Sequence, residues 1–463
     1  MPRFFLVLAL LLSAAAVTAQ PVEAPRVPDA ETAFEGGLDA YRTGAYAEAR
    51  RLFQRAASEF GYNERTTAAL LMAGKAAYAA GDVDGARGLL TGLVTQYPSS
   101  RYGDEARRVL GLLDGAPPEA FDLGVILPAT GESAYLAQAM FNGVRLAVDD
   151  HNEAHPDRPV HLVFRDSEGS PDGARTALGL AARAGADAVI GPLFSGEAVA
   201  AAEVAEREGI VLIAPLATDE AVADGRTFVF QANPTFPVRG RAMARYIVGE
   251  GHRRLATIAV TGTFGERMAA AFEEEATRLG ATFTTRTRLD AEADWDALPV
   301  RVGPSRLQGA EAVYLPITGD DAPEHVADAL RGLEAMGVEL QALGNTEWEG
   351  LDASRARAAR YRAVFDQDFN VSDDAAEFAA RYRALAGVRA DRLALMGYDA
   401  TTFLLREAVP EGGGVVRGTA LAERLRAAGV HRGLAHRIAF EGGQVNSALF
   451  LMTFRGGEAV LVE

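Results

Sequence analysis

From Phe121 to Glu220 the chain alternates short apolar strands with amphipathic helices, and that alternation leaves few folds open to it. The strand FDLGVIL ends at Leu127 and passes through a Pro/Thr/Gly/Ser turn. The helix that follows carries Tyr135, Leu136, Met140, Phe141, Val144 and Ala147 at helical spacing. VHLVFRD (160–166), ADAVIGPLFSGEAVA (186–200) and IVLIAPLATDE (210–220) repeat the scheme with helices between them. Successive strand–helix units predict an α/β fold with a parallel sheet covered on both faces, where ligands sit beyond the carboxyl ends of the strands. Thr130, Ser133, Ser195 and Thr218 fall at those ends.

The second half continues the pattern. Strand LATIAV (255–260) leads through the turn TGTFGE to a helix ending near Leu279, then to strand TFTTRTRLD. A helix near Trp295–Leu307, strand AVYLPI (312–317), a helix over Ala322–Met336 and strand LQALGN complete a second lobe. AVFDQDFN (363–370) reads as extended, AEFAARYRAL as helical, and MGYDATTFLLREAV as a helix burying Tyr398, Phe403 and Leu404. Alternating runs around Gly442-Gly443 and Gly456-Gly457 predict antiparallel hairpin strands.

The N-terminus has the pattern of a secretory signal: basic Arg3, an apolar run from Phe4 to Leu12, and the small-residue site Val17-Thr18-Ala19. Residues 1–19 are therefore expected to be removed on export, leaving a soluble periplasmic chain. Mass spectrometry of the exported protein is expected to find Gln20 at its start; an intact Met1 or an attached lipid would contradict this. No cysteine occurs, which removes disulfides, thiolate chemistry and a lipid-bearing cysteine. Lys75 is the single lysine, and LLMAGKAAYAA around it matches neither a phosphate loop nor a Ser-x-x-Lys site. A net charge of −17 argues against nucleic acid and anionic membranes as partners.

A Pro-rich tether, residues 20–30, precedes a helical repeat. Gly44, Tyr46, Ala49, Phe53 and Ala56 recur 37 positions later as Gly81, Val83, Ala86, Leu90 and Leu93. This resembles the tetratricopeptide repeat, with three extra residues assigned to the connection near Gly61–Arg65. Residues 31–114 are read as such an array, closed by a helix from about Ser99 to Leu113. An array of this kind offers a surface to a protein partner and has no chemistry of its own. The linker 115–120 (GAPPEA) then leads to the α/β region 121–463, and the array is expected to fold as a separable unit.

The pieces after Phe121 resemble the type I periplasmic solute-binding fold, the leucine/isoleucine/valine-binding family. The likeness rests on LPATGESAYLAQAMFNGVRLAVDDHN, Asp166, IGPLFSGEAVAAAEVAEREGIVLIAPLAT, FVFQANPTFPVRGRAMARYI, the TFGE turn, GYDATTFLL and GLAHRIAFEGGQVN, in family order. It implies two lobes closing on a small ligand, joined by three crossings near Asn233–Val238, Phe365–Val371 and Ile438–Val445. It also implies an α-carboxylate held by Ser195, the Leu216 backbone and Thr218, with Phe264 as an aromatic cover. An acidic partner for the ligand's ammonium group would lie near LQALGN, where Asn345, Thr346 and Glu347 stand, Glu347 being the acidic one. Tyr135, in the first strand–helix turn, could add a wall. Ser195 and Thr218 also suit helix caps, and Phe264 also suits a core position.

Asp320, Asp321, Glu324 and His325 gather at a helix start, where acids are expected from the helix dipole, so no metal or cofactor is assigned. No H-E-x-x-H or G-x-S-x-G motif and no serine with a plausible local base points to a catalytic residue. The leading expectation is a non-enzymatic binding protein serving an ABC transporter permease with an amino acid or similar small carboxylate. The alternative follows from architecture. An array ahead of this fold is similar to the penicillin-binding protein activators, lipoproteins that regulate a cell-wall synthase by protein contact.

Overall fold

The computed structural model describes residues 24–114 and 120–462. The expected signal segment, the first residues of the tether and nearly all of the linker 115–120 lie outside the described residues. Five helices open the fold: α1 (Pro28–Arg42), α2 (Tyr46–Ser58), α3 (Thr66–Ala79), α4 (Val83–Gln96) and α5 (Gly103–Asp114). α1 begins inside the segment read as tether. Pro28 is the cause, since proline at the first helical position has its φ already set and no N–H to lose. Gly44 and Gly81 occupy equivalent turns, and the repeated Ala49, Phe53, Ala56, Ala86, Leu90 and Leu93 are all fully buried. The longer α2–α3 connection is held by buried Asn63, whose Nδ2 donates to the carbonyls of Ala56 (3.1 Å) and Gly61 (2.9 Å).

A five-stranded sheet forms the first lobe: β1 (Phe121–Leu127), β2 (Val160–Asp166), β3 (Ala188–Ile190), β4 (Val211–Ala214) and β5 (Val229–Gln231). All strands are parallel, in the order β2-β1-β3-β4-β5. Between them run α6 (Ala134–Ala154), α7 (Pro171–Arg183) and α8 (Ser195–Glu208). Strand β1 shows why the sheet is covered twice. Leu123, Val125 and Leu127 face one core with α6, while Ile126 faces another with α7 and α8.

The second lobe begins with α9 (Phe236–Gly249), β6 (Arg254–Val260), α10 (Phe264–Arg278) and β7 (Thr282–Leu289). There follow α11 (Leu298–Arg301), α12 (Pro304–Leu307), β8 (Ala312–Tyr314), α13 (Ala322–Ala335), β9 (Gln341–Gly344), α14 (Arg355–Arg360) and β10 (Val364–Gln367). The single helix expected near Trp295–Leu307 is instead a 3-10 turn at Glu292–Trp295 followed by α11 and α12. Pro299 and Pro304 each stand in the first turn of a new short helix, where proline is tolerated, and Gly303 turns the chain between them.

The chain then returns to the first lobe as α15 (Ala375–Ala386), α16 (Arg392–Ala408), α17 (Gly418–Ala427), β11 (His431–Arg432) and β12 (Arg437–Ile438). It finishes on the second lobe with β13 (Phe450–Arg455) and β14 (Glu458–Leu461), giving a sheet in the order β14-β13-β10-β9-β8-β6-β7. Gly456-Gly457 joins the antiparallel pair β13–β14, as expected. Gly442-Gly443 joins no hairpin. The segment after it crosses between lobes, and Val445 lies parallel to Gln231.

Three segments connect the lobes: between β5 and α9, between β10 and α15, and between β12 and β13. The first and third are stitched together. Asn446 Nδ2 donates to the carbonyls of Ala232 and Arg437, both at 2.8 Å, and its backbone N–H donates to Gln231. The array does not stand apart. It lies against β2, an edge strand of the first lobe, with Tyr102 edge-on to Phe164 (5.3 Å between ring centres) and Glu105 fully buried between Lys75 and Arg165. Covering an edge strand in this way also removes a site for unwanted strand pairing.

Candidate ligand-binding cleft

The carboxyl ends of the parallel strands in both sheets face the crossings, and the residues singled out from sequence sit there. Gly191, after β3, sets the path toward α8. Its φ of 101° is a conformation other residues rarely adopt, and an added Cβ would lie 1.9 Å from the Ile126 carbonyl oxygen. Gly191→Ala is expected to destabilise the fold by about 1–3 kcal/mol in denaturant melts, since both strain and overlap must be relieved.

Ser195 opens α8, and its Oγ accepts hydrogen bonds from the backbone N–H groups of Thr218 (3.2 Å) and Asp219 (3.3 Å). Neither Ser195 nor Thr218 is a helix cap. Phe194 holds the cap position of α8, and the following 3-10 turn (Glu220–Val222) is capped by Asp219, whose Oδ1 accepts from the Ala221 N–H. The Leu216 carbonyl accepts from Asn233 Nδ2 at 3.0 Å and so ties the first crossing to this turn. A hydroxyl, two backbone amides and the open first turn of a fourteen-residue helix therefore converge at one rim of the first lobe.

On the second lobe, Phe264 opens α10, is 54% exposed and stacks on Phe236 with ring centres 4.3 Å apart. That exposure excludes the core role for Phe264. Across the cleft, Arg267 pairs with Glu220 at 2.8 Å, so the start of α10 faces the Thr218 turn. Glu347 lies in a 3-10 turn (Thr346–Gly350) after β9 and accepts from Asn345 Nδ2 at 2.7 Å. Burial, with the nearby Asp366 adding to it, raises the Glu347 carboxyl above its ordinary range. Tyr135, at the start of α6, is 66% exposed. Tyr135, Phe264 and Glu347 each stand at a strand's carboxyl end, and none joins the Ser195–Thr218 hydrogen-bond cluster.

A charged cluster beneath the second lobe's rim was not singled out from sequence. Buried Arg239 donates to Asp366 Oδ2 at 2.6 Å and pairs with Asp368 at 3.2 Å; Asp368 also meets Arg392. Burial works to raise Asp368, but Arg239 and Arg392 outweigh it and hold the carboxyl low. For Asp366 burial prevails and the carboxyl is raised. The signal was available: FDQDF places two acids in an apolar strand, which demands a buried cation. Asp320, Asp321, Glu324 and His325 do not form a metal cluster, nor does any other group among the described residues. A groove of about 760 Å³ lined by His252, Arg254, Glu311, Met336 and Arg362 lies at the opposite, amino ends of the second lobe's strands, away from the cleft.

Two α/β lobes whose parallel strands end toward three crossings agree with sequence comparison. The profile of the periplasmic binding protein family matches residues 121–458. The chain belongs to that family. A tetratricopeptide repeat profile also matches residues 68–100, the α3–α4 pair. Among family relatives, the Leu/Ile/Val-binding protein homolog 3 of Brucella melitensis is 24% identical over 311 residues, 65% of this chain and 82% of the relative. The Leu/Ile/Val-binding protein BraC3 of Rhizobium johnstonii is 24% identical over 313 residues, 66% of this chain and 83% of the relative. A solved structure of a putative branched-chain amino acid ABC transporter from Rhodospirillum rubrum superposes with a TM-score of 0.60 at 25% identity, covering 74% of this chain and all of that one. Among the described residues no helix is long and apolar enough to cross a membrane.

Proposed function

We propose that the chain is an exported, non-enzymatic periplasmic protein whose cleft takes an amino acid or similar small carboxylate for an ABC transporter permease. The observation that carries this reading is the Ser195 hydroxyl at the start of α8, whose oxygen is held by the Thr218 and Asp219 amides and whose own O–H is left to donate. Donors fixed at a helix start suit a carboxylate, whose charge is favoured there. Glu347 on the opposite lobe supplies an acceptor for an ammonium group, whose arrival favours its ionised form. Phe264, exposed and stacked on Phe236, is the cover, and Tyr135 a side wall. The names of the two relatives support a branched-chain amino acid as the first ligand to try.

Calorimetry of the full chain with a panel of free amino acids tests the proposal. Saturable heat with at least one of them is the expected result. A flat response across the panel would favour the second reading, regulation of a cell-wall synthase by protein contact, for which the array ahead of the binding fold is the supporting feature.

A further inference from the structure

The array faces the first lobe with residues from its odd-numbered helices and the α2–α3 and α4–α5 connections. Glu31, Arg65, Lys75 and Glu105 all line that side, through Arg65–Asp166, Lys75–Glu105 and Glu105–Arg165 contacts. Arg65 reaches the carboxyl end of β2. Its side chain is 13% exposed, its Nε is shared by both Glu31 carboxylate oxygens (2.9 and 3.0 Å), and the guanidinium lies over the Phe34 ring. The same guanidinium stands 4.0 Å from Asp166 Oδ2 and 3.9 Å from Glu168.

Asp166 ends β2 at the carboxyl edge of the first lobe, and it organises the loop that leads into α6. Its Oδ1 accepts from the Ala129 N–H (2.8 Å) and the Glu168 N–H (2.9 Å), and its Oδ2 from Thr130 Oγ1 (2.9 Å). That loop ends at Ser133 and delivers Tyr135. The polar contacts from the array to Arg165 and Asp166, together with Arg108–Asp122 (3.1 Å) and Arg101–Gln138 (3.0 Å), all fall on the first lobe. The array is therefore tied to the first lobe by its polar contacts.

We propose that the helical array is a built-in positioning element of the cleft: Arg65 orients Asp166, Asp166 orients the β1–α6 loop, and array docking is thereby coupled to ligand binding. This deepens the proposed function and rests on it for the ligand half alone. Arg65 is a positioning residue and touches no ligand. Coupling of this kind is reciprocal, so a partner that pulls the array from the first lobe also loosens the ligand.

Hydrogen exchange and titration of the full-length Arg65→Ala chain test it together. The Ala129 amide, which donates to Asp166, is expected to exchange about tenfold faster, with α3, α4, α9 and α10 unchanged, and Arg65→Lys should restore most of the protection. L-Leucine, the probe, should bind roughly tenfold more weakly to Arg65→Ala than to the wild type. Unaltered Ala129 exchange would overturn the proposal, as would faster exchange with equal leucine affinity. Should leucine fail to bind the wild type, the choice of ligand fails while the exchange result still decides the positioning role. If Arg65→Ala unfolds the array, Arg65→Gln replaces it, keeping a donor for Glu31 but no charge for Asp166.

Discussion

Replacing Glu105 by Gln is expected to cost roughly 3–5 kcal/mol of folding stability, the usual penalty for breaking one side of a buried ion pair. Glu105 is fully buried and accepts from Lys75 at 2.8 Å and from Arg165 at 2.5 and 3.2 Å. Gln keeps the shape but leaves two cations facing each other in a largely dry interface. Burial alone would raise the Glu105 carboxyl; Arg165 and Lys75 outweigh it and bring it down to about 2 from 4.5. The stabilisation is therefore complete above about pH 4.5 and fades as pH falls toward about 2. Denaturant melts of both chains at pH 7 and near pH 2.5 should show a wide gap that narrows in acid. A gap below about 1 kcal/mol at pH 7, or one independent of pH, would contradict the buried pairing.

The second large effect concerns the cleft. Replacing Ser195 and Thr218 together by Ala should weaken ligand binding by about 100-fold or more, at roughly 1.5–3 kcal/mol for each hydrogen bond to a charged group. Ser195 Oγ also accepts from the Thr218 and Asp219 amides, so its loss removes a donor and releases the turn that carries Thr218. Melting should move little, because neither hydroxyl is a helix cap. A lowered melting temperature with unchanged affinity would assign both residues to structure alone.

Much of the fold was legible because strand–helix alternation and the 37-residue repeat are local patterns, and apolar spacing reports which face of each element is buried. Legibility failed where local patterns compete. The apolar run near Trp295–Leu307 has helical spacing, but Pro299 and Pro304 break it into single turns. Gly442-Gly443 has a hairpin's composition, yet Asn446 ties the segment after it to the first crossing. At the site, strand-end positions picked out Ser195 and Thr218, since a hydroxyl after an apolar strand is visible in one dimension. The Arg239–Asp366–Asp368 cluster joins residues more than a hundred positions apart; FDQDF signals the need for a buried cation, but no local pattern names Arg239 as that cation. Nor did the linker's composition show that the array lies against β2; that contact depends on Arg165 meeting Glu105 in three dimensions.

The central claim is that the first lobe grips a carboxylate. Titration of the full chain with L-leucine and, in parallel, with L-leucinamide tests it most directly, because the two differ only in that group. Leucine should bind, and the amide should bind at least about tenfold more weakly, losing charge-assisted hydrogen bonds at Ser195, Thr218 and the start of α8. Equal affinity for both, or tighter binding of the amide, would contradict the account.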